Sequence, residues 1–159
     1  MGVAGSGKST IGAKLSVATG IPFFDADDFH PTANKEKMKA GEPLNDADRK
    51  DWLSTINELA KEQSQKSGAI ICCSALKEKY RIVLSDEIKT PVHWILLQGS
   101  FGLIQKRMKA RKDHFMPAGL LQSQFDTLET PAHAIVMDIN NSPEQIVMDI
   151  LRQLKFIAD

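Results

Sequence analysis

Gly2-Val3-Ala4-Gly5-Ser6-Gly7-Lys8-Ser9 fills every fixed position of the pattern G-x-x-x-x-G-K-[ST]. Such a stretch is a device for holding a polyphosphate. Gly2, Gly5 and Gly7 let the backbone turn tightly and bring its N–H groups against phosphate oxygens. Lys8 reaches the β- and γ-phosphates as a point charge, and the Ser9 hydroxyl is the expected magnesium ligand. With Ala4, Ser6 and Thr10 these residues form the candidate nucleotide cradle. The following run, Lys8-Ser9-Thr10-Ile11, opens a helix with apolar residues at Ile11, Leu15 and Ala18. The N-terminus of that helix favours an anion as well. A loop of this kind belongs between a strand and a helix of an α/β fold.

That strand is the unusual part, because only Met1 stands before Gly2 in the chain. In doubly wound sheets the strand leading into the phosphate loop is central. Either the first few residues are missing or the start is shortened; if the strand is missing, its apolar neighbours are expected to be left uncovered and the chain to be poorly stable.

Outward from the loop, strand-like apolar runs alternate with amphipathic stretches. The strands predicted are 21–24, 69–73, 92–97 and 134–139. Between them Trp52, Leu53, Ile56, Leu59 and Ala60 keep helical spacing, as do Leu103, Ile104 and Met108. Ser142-Pro143-Glu144-Gln145 offers an N-cap, a proline at the first helical turn and a capping-box glutamine, followed by the stripe Ile146, Val147, Ile150, Leu151, Leu154. Strands alternating with helices predict a mostly parallel sheet with helices on both faces. Ligands in such sheets sit at the carboxyl ends of the strands.

Length and charge narrow the field. The 159 residues suffice for one domain with a real core, and 42% hydrophobic and 25% charged residues are ordinary for a globular protein. Formal net charge is zero. No global field draws the chain to nucleic acid or an anionic membrane, so anion binding has to be local. No apolar run approaches the ~18 residues of a membrane helix, and no signal peptide is visible. Cys72 and Cys73, adjacent in an apolar run, read as small buried hydrophobes in a reducing compartment. The expected location is the cytoplasm.

The strand ends supply the chemistry. The predicted strand 21–24 runs into Asp25-Ala26-Asp27-Asp28-Phe29-His30-Pro31. Crowded carboxylates beside a phosphate loop call for a cation. Asp25 or Asp27 holds magnesium, directly or through water, and another accepts the hydrogen bond or the proton of a reacting hydroxyl. Asp28 reads as a solvated turn residue. His30 is open between a structural cap and a ligand contact. The next strand end carries Ser74 and Lys77, with Arg81 a turn later, either an anion- and hydroxyl-binding corner or an ordinary basic helix start. A Walker-B aspartate is absent there, which places more of the magnesium site on Ser9 and on the Asp25/Asp27 pair. Finally, Lys106, Arg107, Lys109, Arg111 and Lys112 crowd one short segment. Phosphoryl transfer needs cations brought over the transferring group, and Arg107 and Arg111 share the face suited to that role.

Taken together the words G-V-A-G-S-G-K-S-T, D-A-D-D-F-H-P, G-E-P-L-N-D-A-D-R, C-S-A-L-K-E-K-Y-R, H-F-M-P-A-G-L-L-Q-S-Q-F and L-E-T-P resemble the P-loop gluconate kinases, in the wider group of shikimate and adenylate kinases. The C-S-A-L-K…Y-R and L-N-D-x-D-R words are the selective ones. The resemblance implies one P-loop kinase domain over 1–159, a three-layer sandwich with a helical lid over about 107–125. It implies transfer of the ATP γ-phosphoryl group to the terminal hydroxyl of D-gluconate, with magnesium. Asp27 matches the acid that binds the reacting hydroxyl, and Asp25 sits nearer magnesium. Arg49 matches a carboxylate-binding arginine, unless it is spent on a salt bridge to Asp46 or Asp48. Arg81 and His30 are further candidates for the same role. Gln124 is a further substrate contact, and Asn141 lies in the loop that borders adenine. A homodimer is implied in the same way. Two alternatives stay open: a kinase for shikimate or another small sugar acid, and a nucleotide-binding switch with slow ATPase activity.

Overall fold

Two pairs of short parallel strands carry the site. The structure is a computed structural model and describes residues 1–110 and 118–156. In chain order the elements are α1 (Lys8–Thr19), β1 (Phe23–Asp25), a 3-10 turn (Ala26–Phe29), α2 (Thr32–Lys39), α3 (Asp46–Ser64), β2 (Ile70–Cys72), α4 (Glu78–Ser85), β3 (Ile95–Gln98), α5 (Phe101–Lys109), α6 (Ala118–Thr127), β4 (Ile135–Asp138) and α7 (Pro143–Gln153). β1 pairs with β2 in the register Phe23–Ile70 to Asp25–Cys72, and β3 pairs with β4 from Ile95–Ile135 to Gln98–Asp138.

All four predicted strands form, each starting one to three residues later than the apolar runs do. The ladders are short because the sheet is divided between β2 and β3. Met1 and Gly2 bridge the division at one end. The Met1 amino group donates to the Ile95 carbonyl (2.5 Å), Leu97 N–H donates to Met1 O (3.0 Å), and Gly2 N–H donates to Ser74 O (3.2 Å). Below this bridge the two half-sheets face each other across a cavity of about 500 Å³, lined by Ile11, Leu15, Ile56, Ile70, Trp94 and Leu151 among others. Ile70, Ile71, Trp94 and Ile95 are accordingly only half-buried.

Helices cover both faces. One core packs Val3, Ile11, Leu15, Leu97, Ile104 and Ile139 against α7, whose Ile146, Val147, Ile150 and Leu151 are buried as their spacing predicts. The other joins Trp52, Leu53, Ile56, Cys73, Tyr80 and Leu84 between α3 and α4. Ala18, by contrast, points to solvent. The α7 cap differs from the predicted box. Ser142 Oγ accepts from Gln145 N–H (3.2 Å), but the Gln145 side chain reaches forward to Asp149 (2.8 Å) rather than back to the cap. Both cysteines are free and buried, and burial pushes their thiols up to about 11. Among the described residues no helix is long and apolar enough to cross a membrane.

Candidate active site

The phosphate loop lies at the bridged end of the sheet, where the carboxyl ends of β1, β2 and β3 converge. Gly5 and Gly7 take left-handed conformations (φ 77° and 99°) that a side chain rarely adopts. A Cβ at Gly5 would also meet Met108 of α5 at 2.7 Å, so the loop is pressed against that helix. Among the described residues, the N–H groups of Gly5, Gly7, Lys8, Ser9 and Thr10 find no acceptor. The last three are the unpaired donors that any helix N-terminus carries. Ser6 Oγ is buried with no hydrogen-bond partner. Lys8 Nζ donates to Gly2 O and Val3 O, both at 3.1 Å. Burial pulls its pKa below the ordinary lysine value, and the carboxylates of Asp27 and Asp25 act in the opposite sense. Unpaired donors, an orphaned hydroxyl and a cation resting on carbonyls make a cradle fitted to a polyphosphate.

The carboxylates stand directly across from it. Asp25 ends β1 and receives the Ser9 hydroxyl on Oδ2 (2.6 Å) and the Asp27 N–H on Oδ1 (3.2 Å). Ser9 and Asp25 thus form one oxygen pair at the cradle, the donor type that magnesium selects. Asp27 sits on the 3-10 turn with its side chain 77% exposed. Its pKa is raised, first because the surrounding walls limit hydration of the charge and next because Asp25 is adjacent; Lys8 opposes the shift. Asp28 is exposed, as its sequence context suggests.

His30 is not at the surface. It is buried, stacked face to face on Trp52 at 4.3 Å, and Trp52 Nε1 donates to Ala26 O (2.7 Å). Asn34 Nδ2 lies 3.4 Å from His30 Nδ1 and donates to Asp48 O at 2.7 Å. Trp52 and Asn34 carry no motif of their own. Only the i, i+4 spacing of His30 and Asn34 hints at their contact.

Beyond Asp27, α3 and α4 build a polar wall. Asn45 and Asp48 make a reciprocal capping box at the start of α3. Arg49 pairs with neither Asp46 nor Asp48. Its guanidinium donates to Leu44 O (3.3 Å) and lies 5.8 Å from the Tyr80 ring centroid. Asp46 is instead held by Lys77, Lys79 and the Tyr80 hydroxyl, while Asp48 takes Lys37 (2.8 Å). Those contacts hold the Asp46 carboxyl well below the usual range, Lys79 contributing most.

The predicted corner of Ser74, Lys77 and Arg81 is not assembled. Lys77 is the N-cap residue of α4 and turns to Asp46. Arg81 is buried and donates to Ala75 O (2.9 Å) and Leu76 O (3.2 Å), holding a turn in which Ala75 has φ 46°. Ser74 meets the phosphate loop through its carbonyl, by way of Gly2 N–H.

Arg107 donates to Ile139 O (2.6 Å) and lines a second cavity of about 300 Å³ with Gly7, Thr10, Asn141 and Pro143. That places it beside the phosphate loop. Arg111 lies outside the described residues, as does most of the basic run's second half. Gln124, on α6, accepts from Ala4 N–H (2.7 Å), so it touches the phosphate loop itself. Glu129 falls in the L-E-T-P word, which assigns it no role. Its N–H donates to Leu76 O (2.8 Å), and its carboxylate accepts from Glu78 N–H (2.5 Å), capping α4.

Known proteins share this arrangement. The family model for shikimate kinase matches residues 4–155. A probable gluconokinase of Dictyostelium discoideum is 45% identical over 168 residues, covering 98% of this chain and 84% of its own. The thermoresistant gluconokinase of Escherichia coli K12 is 41% identical over 160 residues, covering 98% and 91%. The crystal structure of a gluconokinase from Sinorhizobium meliloti 1021 superposes with a TM-score of 0.88 at 38% identity, covering 98% and 89%. With its phosphate cradle, its α/β layers and these relatives, the chain belongs to the gluconokinases of the shikimate kinase family.

Proposed function

We propose that the protein transfers the γ-phosphoryl group of ATP to the terminal hydroxyl of D-gluconate, giving 6-phospho-D-gluconate and ADP. One observation carries the reading: the exposed Asp27 carboxylate lies within charge range of Lys8 and Arg49, with Asp25 and Ser9 paired beside it. The cradle takes the phosphates, and the cavity lined by Arg107 and Asn141 takes the nucleoside. Ser9 and Asp25 would hold magnesium, which when bound would neutralise phosphate charge. Asp27 accepts the proton of the acceptor hydroxyl as its oxygen bonds to the γ-phosphorus. The bond to the bridging oxygen breaks, and that oxygen leaves with ADP. Lys8 leaves its carbonyl partners for the phosphates and balances the charge that spreads over the transferring group. Arg49, free of either predicted carboxylate partner, is the cation placed for the gluconate carboxylate. Lys77 and Arg81 shape the wall rather than contact substrate, and Gln124 holds the phosphate loop. The working unit is a single kinase domain, active in the cytoplasm as a homodimer.

The test is coupled ADP release with magnesium-ATP, comparing D-gluconate, shikimate and no acceptor. Release that depends on gluconate supports the reading. Equal release with shikimate widens the acceptor class, and release without acceptor moves the protein to the nucleotide switches.

A further inference from the structure

The buried group that phosphoryl transfer leaves unused is His30. It is 6% exposed and packed flat on Trp52. Its two nitrogens nevertheless face different partners. On one side is the Asn34 amide nitrogen, whose identity is fixed by its 2.7 Å donation to the Asp48 carbonyl. The second hydrogen of that amide points to His30 Nδ1 at 3.4 Å, so Nδ1 is the acceptor and the ring proton sits on Nε2. On the other side Nε2 lies 3.8 Å from Asp27 Oδ1.

We propose that His30 is a positioning residue for phosphoryl transfer: fixed as its Nε2–H tautomer by Asn34 and clamped on Trp52, it holds Asp27 by Oδ1 and leaves Oδ2 for the acceptor hydroxyl. This rests on the reading of Asp27 as the proton acceptor. The 3.8 Å gap is one small rotation of an exposed carboxylate away from a hydrogen bond, and His30 is the rigid partner of the two. Asp27 stands on a short 3-10 turn with few packing contacts of its own, so its orientation has to be supplied by a neighbour. Burial, reinforced by Arg49 and Lys35, pushes the His30 pKa down to about 4, so the ring is a neutral donor. A misdirected reacting group costs roughly 100-fold in rate where geometry is off by about 1 Å.

Two substitutions separate donation from packing. His30→Phe keeps a ring on Trp52 and removes the donor; His30→Gln removes the stack and places an N–H near the Nε2 position. The expected result is a kcat for His30→Phe that falls about 10- to 100-fold with KM for ATP nearly unchanged. His30→Gln recovers most of that loss despite a lower melting temperature. A His30→Phe enzyme with parental kcat, or a His30→Gln enzyme as slow as His30→Phe, overturns the proposal. If His30→Phe does not fold, Asn34→Leu carries the test. It lowers kcat in the parent, where the tautomer is set free, and has no further effect beside His30→Gln, which has no tautomer to fix. Equal losses in both backgrounds overturn the proposal. Asp27→Asn separates the two levels. If it turns over at the parental rate, the reading of Asp27 fails and takes this one with it. If it is inactive while His30→Phe is normal, only the role of His30 is lost.

Discussion

The two ends of the divided sheet are built on opposite terms. At the end that carries the phosphate loop, Met1 and Gly2 join the half-sheets through three backbone hydrogen bonds, and polar ties radiate from there. Ala4 reaches Gln124, Ser9 reaches Asp25, and Arg107 reaches Ile139. A few residues beneath, the same half-sheets are separated by an apolar cavity of about 500 Å³. Site geometry is thus set by directed bonds at the rim, whereas global stability depends on apolar burial that the lower half has not completed. Function and stability are predicted to fail separately.

Removing the rim's chemistry gives the largest effects. Lys8→Ala strips the charge that is to meet the β- and γ-phosphates, and turnover falls by at least about 10³-fold, as when a preorganised transition-state donor is lost. The thermal midpoint barely moves, since Lys8 is held only by two carbonyls of its own loop. Near-normal turnover in steady-state assays ends the case for the cradle. Asp27→Asn comes next, with about 10²- to 10⁴-fold in kcat, the range of a general base. Nucleotide affinity, measured by calorimetry, stays close to the parent's. A matching loss of affinity reassigns Asp27 to the magnesium site.

The lower region answers to a different change. Four apolar residues with strand propensity added ahead of Met1 run into the cavity between Ile70–Ile71 and Trp94–Ile95. Each buried aliphatic side chain contributes about 1.5–3 kcal/mol, against about 1–2 kcal/mol per residue for ordering the backbone. The net gain is about 2 kcal/mol, or roughly 4–8 °C in melting temperature for a domain of this size. KM for either substrate is unchanged. An extension that leaves the melting temperature where it was means the half-sheets do not pair through that space.

The same contrast governs what was legible in the sequence. The phosphate loop is local, eight consecutive residues whose spacing is their mechanism, and the structure forms it with the glycines in the conformations the pattern requires. The four strands were visible as apolar runs, although their ends were not, because ladder length depends on the neighbour across the division. Relations between distant residues were hidden. Trp52 beneath His30, Tyr80 on Asp46 and Gln124 on Ala4 join positions 22, 34 and 120 residues apart. Arg81 shows how spacing misleads: i, i+4 from Lys77 suggests a shared face, but the Lys77 backbone is extended, ahead of the helix, and Arg81 is drawn inward by two carbonyls. Arg49 ran the other way. Two aspartates within its reach in sequence are claimed by other cations, so the expected salt bridge does not form.

The finest separation of the two regions is in pH. Each holds a cationic group that burial makes hard to charge. The Met1 amino group, above the cavity, is lowered from 8.0 to about 6, by burial and then by Lys8. His30, at the rim, is lowered from 6.5 to about 4; Arg49 of α3 and Lys35 of α2 add to burial, and Asp27 faces it from the 3-10 turn. For such a group the unfolded chain takes up its proton first as pH falls. Stability is therefore full above the unfolded pKa and declines until the folded pKa is reached. The windows are pH 8 to 6 for Met1 and 6.5 to 4 for His30. The raised pKa of Asp27 acts in the opposite sense at the acid end, so each window is read as a difference from the parent. Denaturant titrations across pH 4–8.5 should show the N-terminal extension, which turns the Met1 amine into an amide, flattening only the upper window. His30→Gln should flatten only the lower one. In the doubly altered protein the two changes should add within about 0.5 kcal/mol, as for sites without shared partners. A larger interaction means that the bridge at Met1–Gly2 transmits what happens in the cavity to the carboxylates above it, and rim and cavity are then one cooperative unit.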